Sequence, residues 1–193
     1  TPLSWLSEGK NPGQHRLSFE ELLAHRLCMR RFKSDSQQQP APNFADSPEL
    51  LRRFLAQLPF TLTNGQQRAY KEISEDLARA CPMLRLLQGD VGSGKTVVAA
   101  LSALQAIAAG YQVALMAPTE LLAEQHYANF CQWFEPLDIN VGWLSGKTKG
   151  KHRVEQLGSV ADGSCQLLVG THALFQDEVI YKKLGLIIID EQH

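Results

Sequence analysis

Gly89-Asp90-Val91-Gly92-Ser93-Gly94-Lys95-Thr96 fits G-x-x-x-x-G-K-[ST], the pattern of a loop that wraps phosphate. Leu84-Arg85-Leu86-Leu87-Gln88 precedes it, a short apolar run that predicts a buried strand. Val97-Val98-Ala99-Ala100-Leu101-Ser102-Ala103-Leu104 follows, an apolar, Ala-rich run that predicts a helix. Strand, loop and helix in that order are the context such a loop requires. Glycines let backbone N–H groups turn inward around phosphate oxygens, and the helix N-terminus adds partial positive charge. The candidate nucleotide-binding residues are therefore Gly89, Asp90, Val91, Gly92, Ser93, Gly94, Lys95 and Thr96. Lys95 is placed to reach the β- and γ-phosphates and the Thr96 hydroxyl to ligate Mg²⁺. The ligand this loop predicts is a nucleoside triphosphate.

Composition narrows the rest. A chain of 193 residues has room for one domain with a full core and an appendage. Its formal net charge is −1, so bulk electrostatics gives no support for nucleic-acid binding, and any such reading must come from local sites. No apolar run approaches a membrane span, and Thr1-Pro2-Leu3-Ser4-Trp5 carries no signal-peptide pattern. The chain lacks an initiator Met, which predicts that it is cut from a longer protein. Cys28, Cys81, Cys131 and Cys165 are widely separated, without C-x-x-C or metal-ligand spacing. They read as buried or idle thiols of a reducing cytoplasm.

Along the chain, residues 1–17 read as a loop. Ser18-Phe19-Glu20-Glu21 reads as a capping box that opens a helix to about Lys33, with Phe19, Leu22, Leu23, Leu27 and Phe32 along one side. Arg26, Arg30, Arg31 and Lys33 crowd its end, where cations favour a helix C-terminus. Residues 34–46 are polar and Pro-broken and predict a disordered linker. Ser47-Pro48-Glu49 starts a second helix, with Leu50, Leu51, Phe54, Leu55 and Leu58 on its apolar face. These two helices cannot bury both faces alone, and both are expected to dock on the domain that follows. Residues 1–59 form this helical segment and 60–193 an α/β domain. Thr63-Asn64-Gly65-Gln66 is a further capping box. Helices and strands then alternate: the loop helix to Ala109, a strand over Gln112–Pro118, and a helix over Thr119–Phe134. Next come a strand over Asn140–Leu144, a helix over Lys149–Val160, and strands over Gln166–Gly170 and Leu184–Ile189. Strands apolar on both faces predict a parallel sheet covered by helices on each side.

The second chemical signal is Leu186-Ile187-Ile188-Ile189-Asp190-Glu191-Gln192-His193. A strand ending in Asp-Glu sets two carboxylates at the C-terminal edge of a parallel sheet, where α/β proteins bind ligands. Asp190 is the candidate Mg²⁺ holder, acting through water, and Glu191 the candidate base that orients and deprotonates the attacking water.

Together these segments resemble superfamily 2 helicases of the DEAH-box kind. Gly89–Thr96 and Asp190-Glu191-Gln192-His193 look like motifs I and II of that family. Ala117-Pro118-Thr119-Glu120-Leu121-Leu122-Ala123-Glu124-Gln125 resembles motif Ia. Leu144-Ser145-Gly146 and Val169-Gly170-Thr171-His172-Ala173-Leu174 resemble the DNA-contact motifs that follow. Phe60-Thr61-Leu62-Thr63 with Gln66 is similar to the segment that reads adenine. Within the superfamily the wording is most similar to bacterial ATP-dependent helicases that remodel stalled forks and Holliday junctions. Arg16–Ala24 looks like the helical segment such proteins place before the motor.

The resemblance implies a RecA-like P-loop NTPase fold, ATP and Mg²⁺ as cofactors, Gln66 as adenine reader, and Lys95 and Glu191 as catalytic groups. It implies DNA contacts at Pro118, Thr119, Glu120, Ser145, Gly146 and Thr171, and branched or forked DNA as partner. It further implies a second RecA-like domain and an N-terminal wedge domain in the same polypeptide, so this chain alone is expected to turn over nucleotide negligibly. Local roles compete with several of these. Gln66 and Thr119 also cap helices, Lys147, Lys149, Lys151 and Arg153 also read as a solvated loop, and Trp5, Trp133 and Trp143 also read as packing residues. Other readings are a different superfamily 2 translocase, a P-loop kinase or GTPase, and a non-catalytic binding module.

Overall fold

The computed structural model describes residues 12–37, 39–45, 47–90 and 92–191. Val91, Gln192 and His193, and residues 1–11 of the loop expected over 1–17, Trp5 among them, lie outside them. The chain divides into two compact units, one of residues up to 41 with 80–84, and another of 42–79 with 85 onward.

In the first unit, α1 runs over Pro12–Gln37, six residues earlier than the expected cap at Ser18. Proline suits a first helical turn, and the Arg16–Glu20 ion pair (2.9 Å, i,i+4) spans Ser18 and carries the helix through it. Residues 34–37 continue this helix rather than open a linker. Leu17, Phe19, Leu22, Leu23 and Leu27 are exposed along it, so the burial expected of its apolar side is not seen; the side chain of Phe32 is not described.

In the second unit, α2 (Pro48–Gln57) starts at Pro48, with Ser47 in the cap position but making no side-chain cap bond. Phe54 drives its docking. That ring is wholly buried and meets Trp133 and Phe134 edge-on, each at 6.1 Å. Residues 39–45, part of the expected linker, are anchored too. Phe44 is buried, its N–H donates to the Leu77 carbonyl at 2.8 Å, and its carbonyl accepts from Gln105 Nε2 at 2.9 Å. One apolar residue in a polar run was enough to anchor it. α3 (Asn64–Leu77) opens on the expected capping box, with the Thr63 side chain accepting from Gln66 N and the Gln66 side chain accepting from Thr63 N.

α4 (Lys95–Ala108) is buried over most of its length and ends at Gly110, which takes the left-handed conformation, φ +79°. β1 (Gln112–Met116), α5 (Glu120–Phe134), β2 (Val141–Leu144), α6 (Gly150–Asp162), β3 (Leu167–Gly170) and β4 (Leu184–Ile189) follow. The sheet has four strands in the order β2-β3-β1-β4, all parallel. Side chains of β1 alternate between faces. Ala114 and Met116 join Leu144, Leu168, Val160 and Cys165 in a core under α6, while Trp143 on the other face packs on Tyr127 of α5 at 5.6 Å. Helices therefore lie on both faces of the sheet, covering its inner strands as the alternating pattern predicts, and the chain has the α/β RecA-like fold. None of the described helices is long and apolar enough to cross a membrane.

Two expectations about the strands fail. Leu84–Gln88 is not a strand, because residues 82–90 form no regular element and Leu84 and Leu86 are 68% and 75% exposed. An apolar run becomes a strand only where a neighbour offers ladder hydrogen bonds. Here Arg85 instead ties the segment to α3, through Asp76 at 2.6 Å and Glu72 at 2.8 Å. β4 is likewise not covered on both faces, with Ile187 and Ile189 exposed, and among the described residues nothing pairs with its outer edge.

A Cβ on Gly170 would stand 1.8 Å from the Leu144 carbonyl oxygen, so Gly170→Ala must push β2 and β3 apart. It should cost at least about 2 kcal/mol in urea unfolding. Gly158→Ala, on α6 with open space around it, should stabilise by about 0.5–1 kcal/mol. Burial pushes the Cys165 thiol up from 9.0 to about 11. The fold thus favours the neutral thiol, and that contribution is fully present below pH 9 and is lost as pH climbs toward 11. Native iodoacetamide labelling at pH 8 should mark exposed Cys28 and spare buried Cys165; equal labelling would contradict this burial.

Candidate nucleotide and nucleic-acid site

Register aligns the C-terminal ends of the strands. Met116 is opposite Gly170 and Ile189, and Gly170 is opposite Leu144. The next residues are Ser145, Thr171, Ala117 with Pro118, and Asp190, so one edge of the sheet gathers the ends of four segments. The Ala117 N–H donates to the Gly170 carbonyl and the Asp190 N–H to the Met116 carbonyl, both at 2.9 Å.

The phosphate loop is built by glycine geometry. Gly92 (φ +80°) and Gly94 (φ +76°) are left-handed, a conformation that costs other residues roughly 1–2 kcal/mol. A Cβ on Gly94 would also come within 2.3 Å of Gln66 Nε2. Lys95 Nζ donates to the carbonyls of Gly89 (2.8 Å) and Asp90 (3.0 Å), holding its ammonium inside the loop. The Ser93 N–H closes the turn onto the Asp90 carbonyl at 3.1 Å. Thr96 is half-buried in the first turn of α4. Gln66 joins the α3 cap to this loop. Its Oε1 accepts from Thr63 N at 2.9 Å, while its Nε2 donates to the Ser93 carbonyl at 2.9 Å.

At the end of β4, Asp190 Oδ2 lies 2.6 Å from His126 Nε2 of α5. Glu191 has φ +50°, uncommon for a residue with a Cβ and characteristic of sites where geometry serves chemistry. His126 is absent from the sequence-based candidates, although a signal existed. It shares the buried phase of α5 with Ala123, Phe130 and Phe134, and a histidine among apolar residues demands a partner.

Elsewhere on this edge the local roles are realised. The Thr119 hydroxyl accepts from Leu122 N at 3.3 Å, capping α5, and Pro118 beside it is exposed. Glu120 pairs with Lys147, and this hydrogen-bonded partner raises the lysine pKa. Ser145 is buried, its hydroxyl accepting from Lys147 N at 3.2 Å, while Gly146 is exposed. The Thr171 N–H donates to the Leu144 carbonyl at 3.4 Å. Arg153 is a clamp rather than part of a solvated cluster. Its Nη1 donates to the carbonyls of Ser145 and Thr148, both at 3.3 Å, and its Nη2 to Gln176 at 2.7 Å and to Glu178. Trp133 and Trp143 pack against aromatic neighbours.

Residues 63–193, from the capping box through the carboxylate strand, match the model of the DEAD/DEAH box helicase family. The chain belongs to that family. It is 58% identical over 191 residues to the ATP-dependent DNA helicase RecG of Pasteurella multocida (strain Pm70), covering 99% of this chain and 28% of that protein. It is 56% identical over the same length to RecG of Escherichia coli (strain K12), again covering 99% of this chain and 28% of the relative. Among solved structures it resembles RecG bound to a three-way DNA junction, with a TM-score of 0.85 and 42% identity over 93% of this chain and 25% of that one. This chain thus spans little more than a quarter of the length of the curated relatives it matches.

Gln66 bears on both the α3 cap and the phosphate loop, so its truncation should be felt in both. Gln66→Ala should lower stability by about 1 kcal/mol and speed amide hydrogen exchange across residues 92–96. Thr63→Ala should weaken the cap alone. Unchanged loop exchange in Gln66→Ala would mean that the contact with Ser93 does not hold the loop.

Proposed function

We propose that this chain supplies the ATP-binding half of a helicase or translocase motor that remodels branched DNA, such as stalled forks and Holliday junctions, in repair and recombination. In this reading residues 60–193 are the first RecA-like domain and 1–59 a helical segment before it. A second RecA-like domain and a wedge domain of the same cytoplasmic polypeptide complete the machine. The observation that carries the reading is a glycine-built phosphate loop, closed by Lys95, in the same α/β unit as a parallel strand that ends in Asp190 and Glu191.

The residues fit a Mg²⁺-nucleotide. The left-handed torsions of Gly92 and Gly94 are those that turn backbone N–H groups toward an anion, and Asp190 engages His126 through one oxygen, leaving Oδ1 for a metal-bound water. Mg²⁺ prefers such a shell, with few protein oxygens and several from phosphate and water. Lys95 would hold the β- and γ-phosphates, Thr96 and Asp190 the cation, and Gln66 the adenine. Glu191 would take the proton of the attacking water. Bound, Mg²⁺ offsets charge on the phosphates. DNA would run along the neighbouring strand ends, over Pro118, Thr119, Glu120, Ser145, Gly146 and Thr171. With Ser145 buried, contact there falls to the exposed Gly146, whose backbone N–H is a suitable donor to a phosphate oxygen.

In the complete polypeptide, Lys95→Ala should abolish ATP hydrolysis while branched-DNA binding in a gel-shift assay stays largely intact. Loss of both together would count against the division of labour, and hydrolysis at the wild-type rate would remove the loop from the chemistry.

A further inference from the structure

His126 is the one described side chain with a buried polar atom that lacks any hydrogen-bond partner, at Nδ1. Its only charged neighbour in an ion pair is Asp190, at 2.6 Å, with the two side chains 11% and 28% exposed. A bare ring nitrogen is cheaper to bury than an N–H without an acceptor, so the proton sits on Nε2 and is donated to Asp190 Oδ2. Nothing in the packing of α5 requires a histidine, since the other buried residues in its phase are Ala123, Phe130 and Phe134. The imidazole is kept in an apolar row, at the expense of an unsatisfied atom, for the sake of this single bond.

We propose that His126 is a positioning residue for the cation-side carboxylate. By occupying Oδ2 it fixes the Asp190 rotamer and leaves Oδ1 for the cation. A carboxylate that holds a metal is commonly held in turn by a hydrogen-bond donor, and removing that donor costs about 10–100-fold in metal affinity. The inference rests on the reading of the loop and Asp190 as a Mg²⁺-nucleotide site. It adds a residue from the helix that begins at Thr119 and Glu120, so the strand-end carboxylate and the start of α5 are joined through one side chain.

The test uses the complete polypeptide and a fluorescent ATP analogue, titrated once with Mg²⁺ and once with EDTA. His126→Ala should weaken binding about tenfold in Mg²⁺ and leave it unchanged in EDTA. His126→Gln, whose amide keeps an N–H near the Nε2 position, should retain most of the Mg²⁺-dependent increment. If His126→Ala fails to fold, His126→Leu fills the same space without a donor and should give the same selective loss. Equal weakening with and without Mg²⁺, no weakening at all, or failure of both apolar variants to fold would overturn the assignment and make His126 a packing residue. A wild-type protein that binds the analogue in neither condition would instead remove the nucleotide site itself, and this inference with it.

Discussion

Met116, Gly170, Leu144 and Ile189 end their strands at one level, and that level determines what the protein can bring together. Side chains in a strand alternate faces, so a slip of one residue would turn every buried position outward. Register is defended where it matters. Between β2 and β3, Gly170 admits the Leu144 carbonyl so closely that no other residue would fit. At the opposite end, buried Gln112 spends its whole amide on backbone. Its Nε2 donates to the carbonyls of Val160 (2.9 Å) and Cys165 (2.8 Å), while its Oε1 accepts from Lys183 N (2.9 Å). One side chain thus locks the exit of α6 and the entry of β4 onto β1.

The same device recurs around α4. Gln105 is buried and donates to the carbonyls of Phe44 (2.9 Å) and Ser74 (3.4 Å), and Gln66 links the α3 cap with Ser93. A buried amide left unpaired costs on the order of 1–3 kcal/mol, so the buried Gln105 and Gln112 each select one arrangement of their neighbours. The phosphate loop gains its shape from both directions, through glycine torsions from within and the Gln66 bond from α3.

Much of this was legible in the residues, and the exceptions have common causes. Periodicity found the helices and strands of the α/β domain because their packing is repetitive, and the loop was legible because its glycines, Lys95 and Thr96 stand in fixed spacing. What periodicity missed are contacts without spacing. Ser18 looked like a cap because Glu21 follows at the right distance, yet the Arg16–Glu20 pair carries the helix past it. Phe44 sat in a polar stretch, and nothing local announced the cavity it fills. Leu84–Gln88 was apolar enough for a strand, but strand pairing belongs to two segments rather than one. The Lys and Arg run after Ser145 looked free because its acidic partners, Glu120 and Glu178, lie 27 and 25 residues away in sequence from Lys147 and Arg153.

β4 has a further consequence for how the molecule behaves among its own copies. Leu184-Gly185-Leu186-Ile187-Ile188-Ile189 carries no charge over its length. The lysines just before it are engaged, Lys182 with the Asp162 carbonyl at 2.9 Å and Lys183 over the Tyr111 ring at 4.0 Å. An uncharged strand whose outer edge pairs with nothing among the described residues is a template for a neighbour's backbone, and natural sequences restrain such strands with charges at their flanks. Asp190 and Glu191 stand at that flank. The two carboxylates that give the strand its chemical interest therefore also act as its gatekeepers, and neutralising them trades charge repulsion between copies for adhesion along β4.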